Sequence, residues 1–323
     1  MIVLTGGAGF IGSVMLARLN EAGYDDILVV DNLASSDKWK NLLGKKFTEY
    51  FHKNDFLEVF EDELDPREVE AVIHLGACTS TTERDMDYLI RNNYDYSKTI
   101  AEWCFEHEIR FVYASSAATY GDGGLGFSDD NAVTQTLRPL NPYGYSKHLF
   151  DLWLVRNNYD RLCAGFKFFN VFGPNEYHKG AMSSLVYKAY HQVNETGALQ
   201  LFRSYNAHYK DGAFTRDFIY VKDCVDVLMW ALDTESVNGI YNLGSGTARS
   251  WNDLASALFS AMGKPNNIQY IDMPEEIRSA YQYHTQADMS KLRAAGFKNE
   301  FRSLEHSVAD YVQTYLSQPE PYL

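Results

Sequence analysis

Residues 5–12 read Thr5-Gly6-Gly7-Ala8-Gly9-Phe10-Ile11-Gly12 and follow the apolar run Ile2-Val3-Leu4 without a break. Gly7, Gly9 and Gly12 satisfy Gly-x-Gly-x-x-Gly, while Gly6, Gly9 and Gly12 satisfy the wider Gly-x-x-Gly-x-x-Gly. Glycine spacing alone is a weak sign. Here a strand precedes it, helical spacing follows over 10–22, and Asp31 closes a second β-rich run 19 residues after Gly12. In that context the stretch is a phosphate loop. The early glycines allow a tight turn and let backbone N–H groups approach a pyrophosphate, Gly12 lets the helix pack close to the sheet, and the helix N-terminus faces the anion. Asp31 suits the ribose hydroxyls of an adenosine half, which favours NAD. Lys38, with Asn32 as a further donor, suits a 2′-phosphate, which favours NADP. The residues alone leave both open.

Working outward, strands are expected over 2–5, 27–31, 47–50, 71–75, 111–115 and 163–169, with helices over 10–22, 86–106 and 142–157 between them. Strands separated by helices imply right-handed crossovers, hence an α/β Rossmann-type, doubly wound parallel sheet. Past Asn170 the pattern loosens. It gives a turn at Gly173-Pro174-Asn175, helices over 183–195, 223–232 and 251–262, a buried strand over 218–221 and a turn over 243–246. The expected division is a dinucleotide-binding domain of 1–170, 216–243 and 285–323, and a smaller, discontinuous α/β lobe of 171–215 and 244–284.

Composition narrows the function classes. The chain has 323 residues, 46% hydrophobic, and a net charge of −14. Such a chain repels nucleic-acid backbones and anionic membranes, so neither is an expected partner. The four cysteines, Cys78, Cys104, Cys163 and Cys224, form no Cys-x-x-Cys pair. No metal site is expected, and unpaired thiols fit a reducing compartment. With no basic-then-apolar leader and no apolar run near the roughly 18 residues of a span, the expected location is cytoplasmic.

The chemistry-bearing group comes next. In Asn141-Pro142-Tyr143-Gly144-Tyr145-Ser146-Lys147, Pro142 suits a helix start, so Tyr143 and Lys147 lie one turn apart on one face. An adjacent ammonium favours phenolate over phenol, which makes Tyr143 a proton-transfer group, and Lys147 can also hold a nicotinamide ribose. Ser116 ends the run Phe111-Val112-Tyr113-Ala114-Ser115-Ser116, at the carboxyl end of a parallel strand, where ligands bind. Its hydroxyl can bond a reacting alcohol or carbonyl.

This set resembles the extended short-chain dehydrogenase/reductase family, the NAD-dependent epimerases and dehydratases, which act mostly on nucleotide sugars. The matching segments are Thr5 to Gly12, Asp31, Ser115-Ser116-Ala117-Ala118-Thr119-Tyr120-Gly121, Tyr143 to Lys147, Phe169-Asn170-Val171-Phe172-Gly173-Pro174 and Arg216-Asp217-Phe218-Ile219-Tyr220-Val221. Dehydratases of this family carry an acid pair where Ala117 and Ala118 stand, so elimination of water is disfavoured. A narrower likeness lies in His178-Lys179-Gly180, Gly76-Ala77-Cys78-Thr79-Ser80-Thr81-Thr82-Glu83, Asn92-Asn93-Tyr94 and Thr285-Gln286-Ala287-Asp288. These segments resemble the branch that epimerises ADP-heptose at C-6 for the lipopolysaccharide core.

The resemblance implies an isomerase acting by transient oxidation through NADP, with NAD as the other candidate, and a homo-oligomer, a pentamer. It gives Lys179 a role that the chemistry also needs. Oxidation at an exocyclic carbon, rotation and return of the hydride to the other face leave the oxygen in two positions, and Tyr143 and Lys179 serve one each. With Ser116 and Lys147 they form the catalytic set. Cofactor positions carried over are Gly6, Gly7, Gly9, Phe10, Ile11, Gly12, Asp31, Asn32, Lys38, Lys53, Leu75, Gly76, Ala77, Cys78, Thr79, Asn92, Tyr143, Lys147, Val171 and Lys179. Substrate positions are Ser116, Asn170, Ala181, Lys188, Phe202, Arg203, Ser204, Tyr205, Arg216 and Tyr281, with Arg216 as a diphosphate fork unless it pairs with Asp217. Two departures from the family pattern are a longer stretch between Ser204 and Arg216 and Leu75 in place of a residue that is often acidic. The competing readings are a UDP-hexose 4-epimerase or sugar reductase, and a silent dinucleotide sensor; intact Ser116, Tyr143 and Lys147 argue against the sensor.

Overall fold

The computed structural model describes residues 1–278 and 281–323. Seven strands form one parallel sheet: β1 (Ile2–Thr5), β2 (Ile27–Asp31), β3 (Glu49–His52), β4 (Ala71–His74), β5 (Arg110–Ser116), β6 (Cys163–Phe168) and, much later, β10 (Gly239–Leu243). Their order is β10-β6-β5-β4-β1-β2-β3. The sheet is Rossmann-type and doubly wound. Order reverses at β1, which pairs with β2 on one side and β4 on the other, so a crevice opens beyond the carboxyl end of β1.

Both faces are covered, which is why β1, β2 and β4 read as unbroken apolar runs rather than alternating ones. Alternate residues feed two cores. Ile2, Leu4, Ile27 and Val29 pack with Val14 of α1 (Phe10–Glu21) and with Leu228. Val3, Leu28, Val30 and Phe111 pack on the other side with Phe56 of α2 (Lys53–Glu63), Ile100 of α3 (Tyr96–Glu106) and Leu154 of α4 (Pro142–Asn157).

After β6 the chain leaves the sheet. Strand β7 (Asn170–Phe172) pairs with β9 (Thr215–Tyr220), which also takes β11 (Ala248–Ser250). Helix α5 (Leu185–Thr196) leads to β8 (Leu199–Phe202), and β8 pairs in parallel with β12 (Ile268–Ile271). Helix α6 (Val221–Asp233) returns the chain to β10, and α7 (Trp251–Ala261) follows β11.

Three details differ from the sequence expectation. Strand β3 runs over Glu49–His52 rather than 47–50. The helix expected over 86–106 is interrupted by a π-helical turn, Ile90–Asp95, before α3. Strands β7, β8, β10, β11 and β12 lie where the sequence pattern gives no strand; β10 runs into the turn expected over 243–246.

Candidate active site

The loop between β1 and α1 is shaped by three glycines with different tasks. Gly6 adopts φ +71°, and a Cβ there would lie 2.6 Å from the backbone nitrogen of Gly76. A Cβ on Gly7 would meet Val29 Cγ1 of the sheet at 2.9 Å. Gly12 is the most crowded, because its Cβ would fall 2.0 Å from the carbonyl oxygen of Gly6. Gly12 therefore makes room for the loop itself, not for the helix–sheet approach expected from its spacing. The Asp31 carboxylate closes the loop by accepting the Ala8 N–H at 2.8 Å and the Asn32 N–H at 2.6 Å. It also holds the ammonium of Lys38, which reaches the Asn32 carbonyl at 3.3 Å.

Beneath the loop a relay fixes the adjoining walls. Thr5 Oγ1 accepts the Gly76 N–H at 3.1 Å and lies 2.7 Å from His74 Nδ1. His74 Nε2 lies 2.9 Å from Ser97 Oγ, which donates to the Asn93 carbonyl at 2.6 Å. These partners require a neutral ring carrying its proton on Nε2, and burial pushes His74 down to about 3. The Asn93 side chain, aimed by the π-helical turn, bonds Cys78 N–H at 2.8 Å, Cys78 carbonyl at 2.9 Å and Ser146 Oγ at 3.0 Å. It thus joins the 75–79 wall to α4. On the same turn Asn92 accepts a bond from the Lys53 ammonium.

Helix α4 starts as Pro142 predicts, with Asn141 Oδ1 accepting the Gly144 N–H at 2.7 Å. A Cβ on Gly144 would sit 2.7 Å from the Ala118 carbonyl, so glycine lets the helix close on the turn after β5. That approach brings Tyr143 beside Ser116, and both line the same cavity. Burial pushes Tyr143 above the ordinary tyrosine range, and Ser116 opposes it. The lowering expected from Lys147 does not prevail in the protein alone. Lys147 is itself pushed down to about 8 by burial, with Asp151 opposing. Behind this group lies a buried ion pair, Asp151 with Lys167 at 2.6 Å. Tyr113 Oη and Ser115 Oγ also donate to Asp151, at 2.9 and 2.7 Å, and Lys167 donates to Thr119 Oγ1 at 2.8 Å.

Lys179 sits in the helical turn Tyr177–Met182, where Gly180 takes φ +52°. Glu176 anchors the turn by accepting the Ser184 N–H at 2.5 Å and the Ser184 hydroxyl at 2.7 Å. The Lys179 ammonium lies 5.3 Å from the Phe10 ring centroid. Burial pushes it below the ordinary lysine range while Glu176 opposes. A lysine so placed more readily offers a free amine as a proton acceptor.

These elements surround one cavity of about 1190 Å³, which takes in Thr5, Asp31, Ser116 and Phe168 at the carboxyl ends of β1, β2, β5 and β6. That is more than the roughly 300–1,000 Å³ of a single drug-sized ligand. Tyr143, Lys147, Lys179 and most expected cofactor positions line it; Gly7 does not. On the substrate side Asn170, Lys188, Phe202 and Tyr281 line it, whereas Ala181, Arg203, Ser204, Tyr205 and Arg216 do not. Ser204 is engaged with Asp211, Tyr205 with Asp272 and Arg278, and Arg203 with the Tyr270 carbonyl. Ala181 is exposed and accepts from Lys188 at 3.2 Å.

Arg216 lies just behind the wall between Trp251 and Tyr281, 5.8 and 5.4 Å from their ring centroids, with both rings lining the cavity. It donates to the Thr215 and Gln282 carbonyls and, among the described residues, has no carboxylate within ion-pair distance. The alternative pairing with Asp217 does not form, because that carboxylate takes N–H groups of Ser245, Gly246 and Ala287. Sequence reasoning assigned no role to Asn93, His74, Trp251 or Phe214. Only the aromatic content of the lobe hinted at the last two.

The glycine loop has the space a pyrophosphate needs, and the donors around it suit a dinucleotide. The profile of the NAD dependent epimerase/dehydratase family matches residues 2–244. The chain belongs to that family. As a member of the NAD dependent epimerase/dehydratase family it takes a nicotinamide dinucleotide. It is 54% identical over 324 residues to the ADP-L-glycero-D-manno-heptose-6-epimerase of Nitratidesulfovibrio vulgaris strain DP4, covering 100% of both chains. It is 46% identical to the enzyme of the same name from Fusobacterium nucleatum, again over 100% of both. The crystal structure of the Helicobacter pylori ADP-L-glycero-D-manno-heptose-6-epimerase superposes with a TM-score of 0.81 at 27% identity, covering 97% of this chain and 95% of that one. Among the described residues no cluster of metal ligands occurs and no helix is long and apolar enough to cross a membrane.

Proposed function

We propose that this protein epimerises ADP-D-glycero-D-manno-heptose at C-6 to the L-glycero form, supplying heptose for the lipopolysaccharide core. The observation that carries the reading is that Tyr143 and Lys179, a buried and a half-buried proton-transfer group from different elements, line the same cavity as the phosphate loop. A bound nicotinamide would supply reversible hydride transfer at the exocyclic carbon, to one face before rotation and to the other after it. Tyr143 and Lys179 each serve one orientation of the oxygen, one removing the hydroxyl proton during oxidation and the other delivering a proton during re-reduction. Ser116 would hold the reacting oxygen beside Tyr143, and Lys147 would steady the nicotinamide ribose. Ala117 and Ala118, in the turn after β5, supply no acid or base for dehydration.

The cofactor is NADP in this reading, because Lys38 lines the cavity beside Asn32 and carries an ammonium that suits a 2′-phosphate. Arg216, a buried cation behind the Trp251–Tyr281 wall whose hydrogen-bond partners among the described residues are carbonyls, supports a diphosphate at that end of the cavity. The division of the chain into a nucleotide domain (1–170, 216–243, 285–323) and a substrate lobe (171–215, 244–284) is part of this reading, residues 279–280 lying outside the described residues. So is assembly into a homo-oligomer, a pentamer, in the cytoplasm. The test is incubation with ADP-D-glycero-D-manno-heptose, product analysis by NMR and a parallel assay with UDP-hexoses. Inversion at C-6 without net NADPH accumulation is expected. Full solvent deuterium at the inverted carbon, or turnover of UDP-hexoses alone, overturns the proposal.

A further inference from the structure

The 3₁₀ turn Asp37–Leu42 carries Lys38 and Asn41 three residues apart. At three residues per turn the two project from the same face. Lys38 goes to Asp31. Asn41 is 1% exposed, and its amide nitrogen donates to the carbonyls of Ala8 at 2.9 Å and Asn175 at 3.1 Å, with His178 Nδ1 at 3.3 Å. The two carbonyls fix the orientation of the amide, since its oxygen would find no donor in their place. The two carbonyls take the two amide hydrogens, and the His178 ring edge packs against the amide nitrogen as a third contact. Ala8 belongs to the phosphate loop. Asn175 and His178 belong to the segment that leads into Lys179. Asn175 holds that segment in a left-handed conformation, φ +74°, uncommon for a residue other than glycine. Its side chain donates to Ser13 Oγ of α1 at 2.9 Å.

We propose that Asn41 is a positioning residue that couples the seating of the cofactor's adenosine end to the placement of Lys179. The inference rests on the reading of Lys38 as a 2′-phosphate ligand and Lys179 as a base. A 2′-phosphate draws Lys38 off Asp31 and resets the 3₁₀ turn, and Asn41 passes that setting to Asn175 and His178. A cofactor without the phosphate leaves Lys38 on Asp31 and the turn where it stands. The base-bearing segment thereby distinguishes NADP from NAD.

The test is hydrogen exchange of backbone amides 176–183 in wild type, Asn41→Ala and Lys38→Ala, each alone and saturated with NADP or NAD, with cofactor affinity measured beside it. In wild type, NADP is expected to protect these amides at least threefold more than NAD. In Asn41→Ala that difference vanishes while NADP still binds, and kcat falls about five- to tenfold, the effect of one hydrogen bond, with KM for the sugar unchanged. His178→Phe keeps both carbonyl bonds of Asn41 and removes only the third contact, so it should lose at least half of the difference even if the alanine variant misfolds. Equal protection by NADP and NAD in wild type, with Lys38→Ala still weakening NADP, overturns the coupling alone. Persistence of the NADP-specific protection in both Asn41→Ala and His178→Phe does the same. Unchanged NADP affinity in Lys38→Ala removes the cofactor reading and the coupling with it.

Discussion

Replacing Gly12 by alanine tests the phosphate loop directly. The added Cβ would stand 2.0 Å from the Gly6 carbonyl oxygen, a separation that real contacts open to at least 3.0 Å. Loop and helix must therefore part by about 1 Å. Overpacking of that kind costs about 1–3 kcal/mol, and the better helix propensity of alanine returns about 1 kcal/mol. The net loss of about 0–2 kcal/mol leaves the protein folded, with a Tm lower by only about 0–3 °C. Binding should suffer far more. If the shift withdraws two loop N–H groups from the pyrophosphate, each charge-assisted bond is worth about 1.5–3 kcal/mol, so affinity falls about 10²–10⁴-fold. Calorimetric titration of the apo-protein with NADP and NAD, beside urea unfolding, measures both quantities. A Kd within threefold of wild type in a folded variant would refute the reasoning, and so would collapse of the fold.

Tyr143→Phe and Lys179→Met should each lower epimerase activity by about 10²–10⁴-fold with cofactor still bound, whereas Lys147→Ala should also weaken cofactor binding; rates and occupancies of the three variants decide this. Near-normal turnover by Lys179→Met would leave Tyr143 as sole base. Lys167→Met strands the buried Asp151 carboxylate and should cost about 3–5 kcal/mol in urea unfolding, with much of it recovered when Asp151 is replaced by asparagine as well. His74 binds a proton in the unfolded chain below about 6.5 but in the folded one only near about 3. Its contribution is therefore present above pH 6.5 and lost as pH falls toward 3, by up to about 1.4 kcal/mol per pH unit. The stability of His74→Gln should fall less steeply than wild type between pH 6 and pH 4, and parallel curves would contradict the assignment of a neutral His74.

What the sequence revealed depended on whether a residue's partner was local. The β1–loop–α1 unit was legible because glycine spacing, an apolar run and Asp31 report on one another over a short distance. The start of α4 was equally legible in Asn141 and Pro142. The meaning of Gly12 was not, because the atom it avoids belongs to Gly6, and spacing cannot say which neighbour is closest. The π-helical turn was invisible, since one wider turn leaves the apolar period nearly intact while re-aiming Asn92 and Asn93. Strand β10 was hidden by Asn242, a residue that reads as turn chemistry. It is fully buried and satisfied by the Phe127 and Asp288 carbonyls and the Tyr120 hydroxyl. Arg216 was expected as a diphosphate contact, yet it stands behind the cavity wall, between aromatic flanks from residues 35 and 65 positions away.

The late arrival of β10 also bears on how the chain is made. It borders β6, but the two strands are separated by the whole stretch from Phe169 to Asn238. At about 5–20 residues per second, a ribosome spends about 4–14 s on that stretch. Throughout that interval the outer edge of β6 has its N–H and C=O groups unpaired, with Ala164, Phe166 and Phe168 still lacking their final neighbour. Such an edge is a template for pairing with another nascent chain. The moment of greatest aggregation risk therefore falls after the first six strands exist and before residue 239 emerges, and slowing translation within 169–238 should lower the soluble yield more than an equal delay after 243.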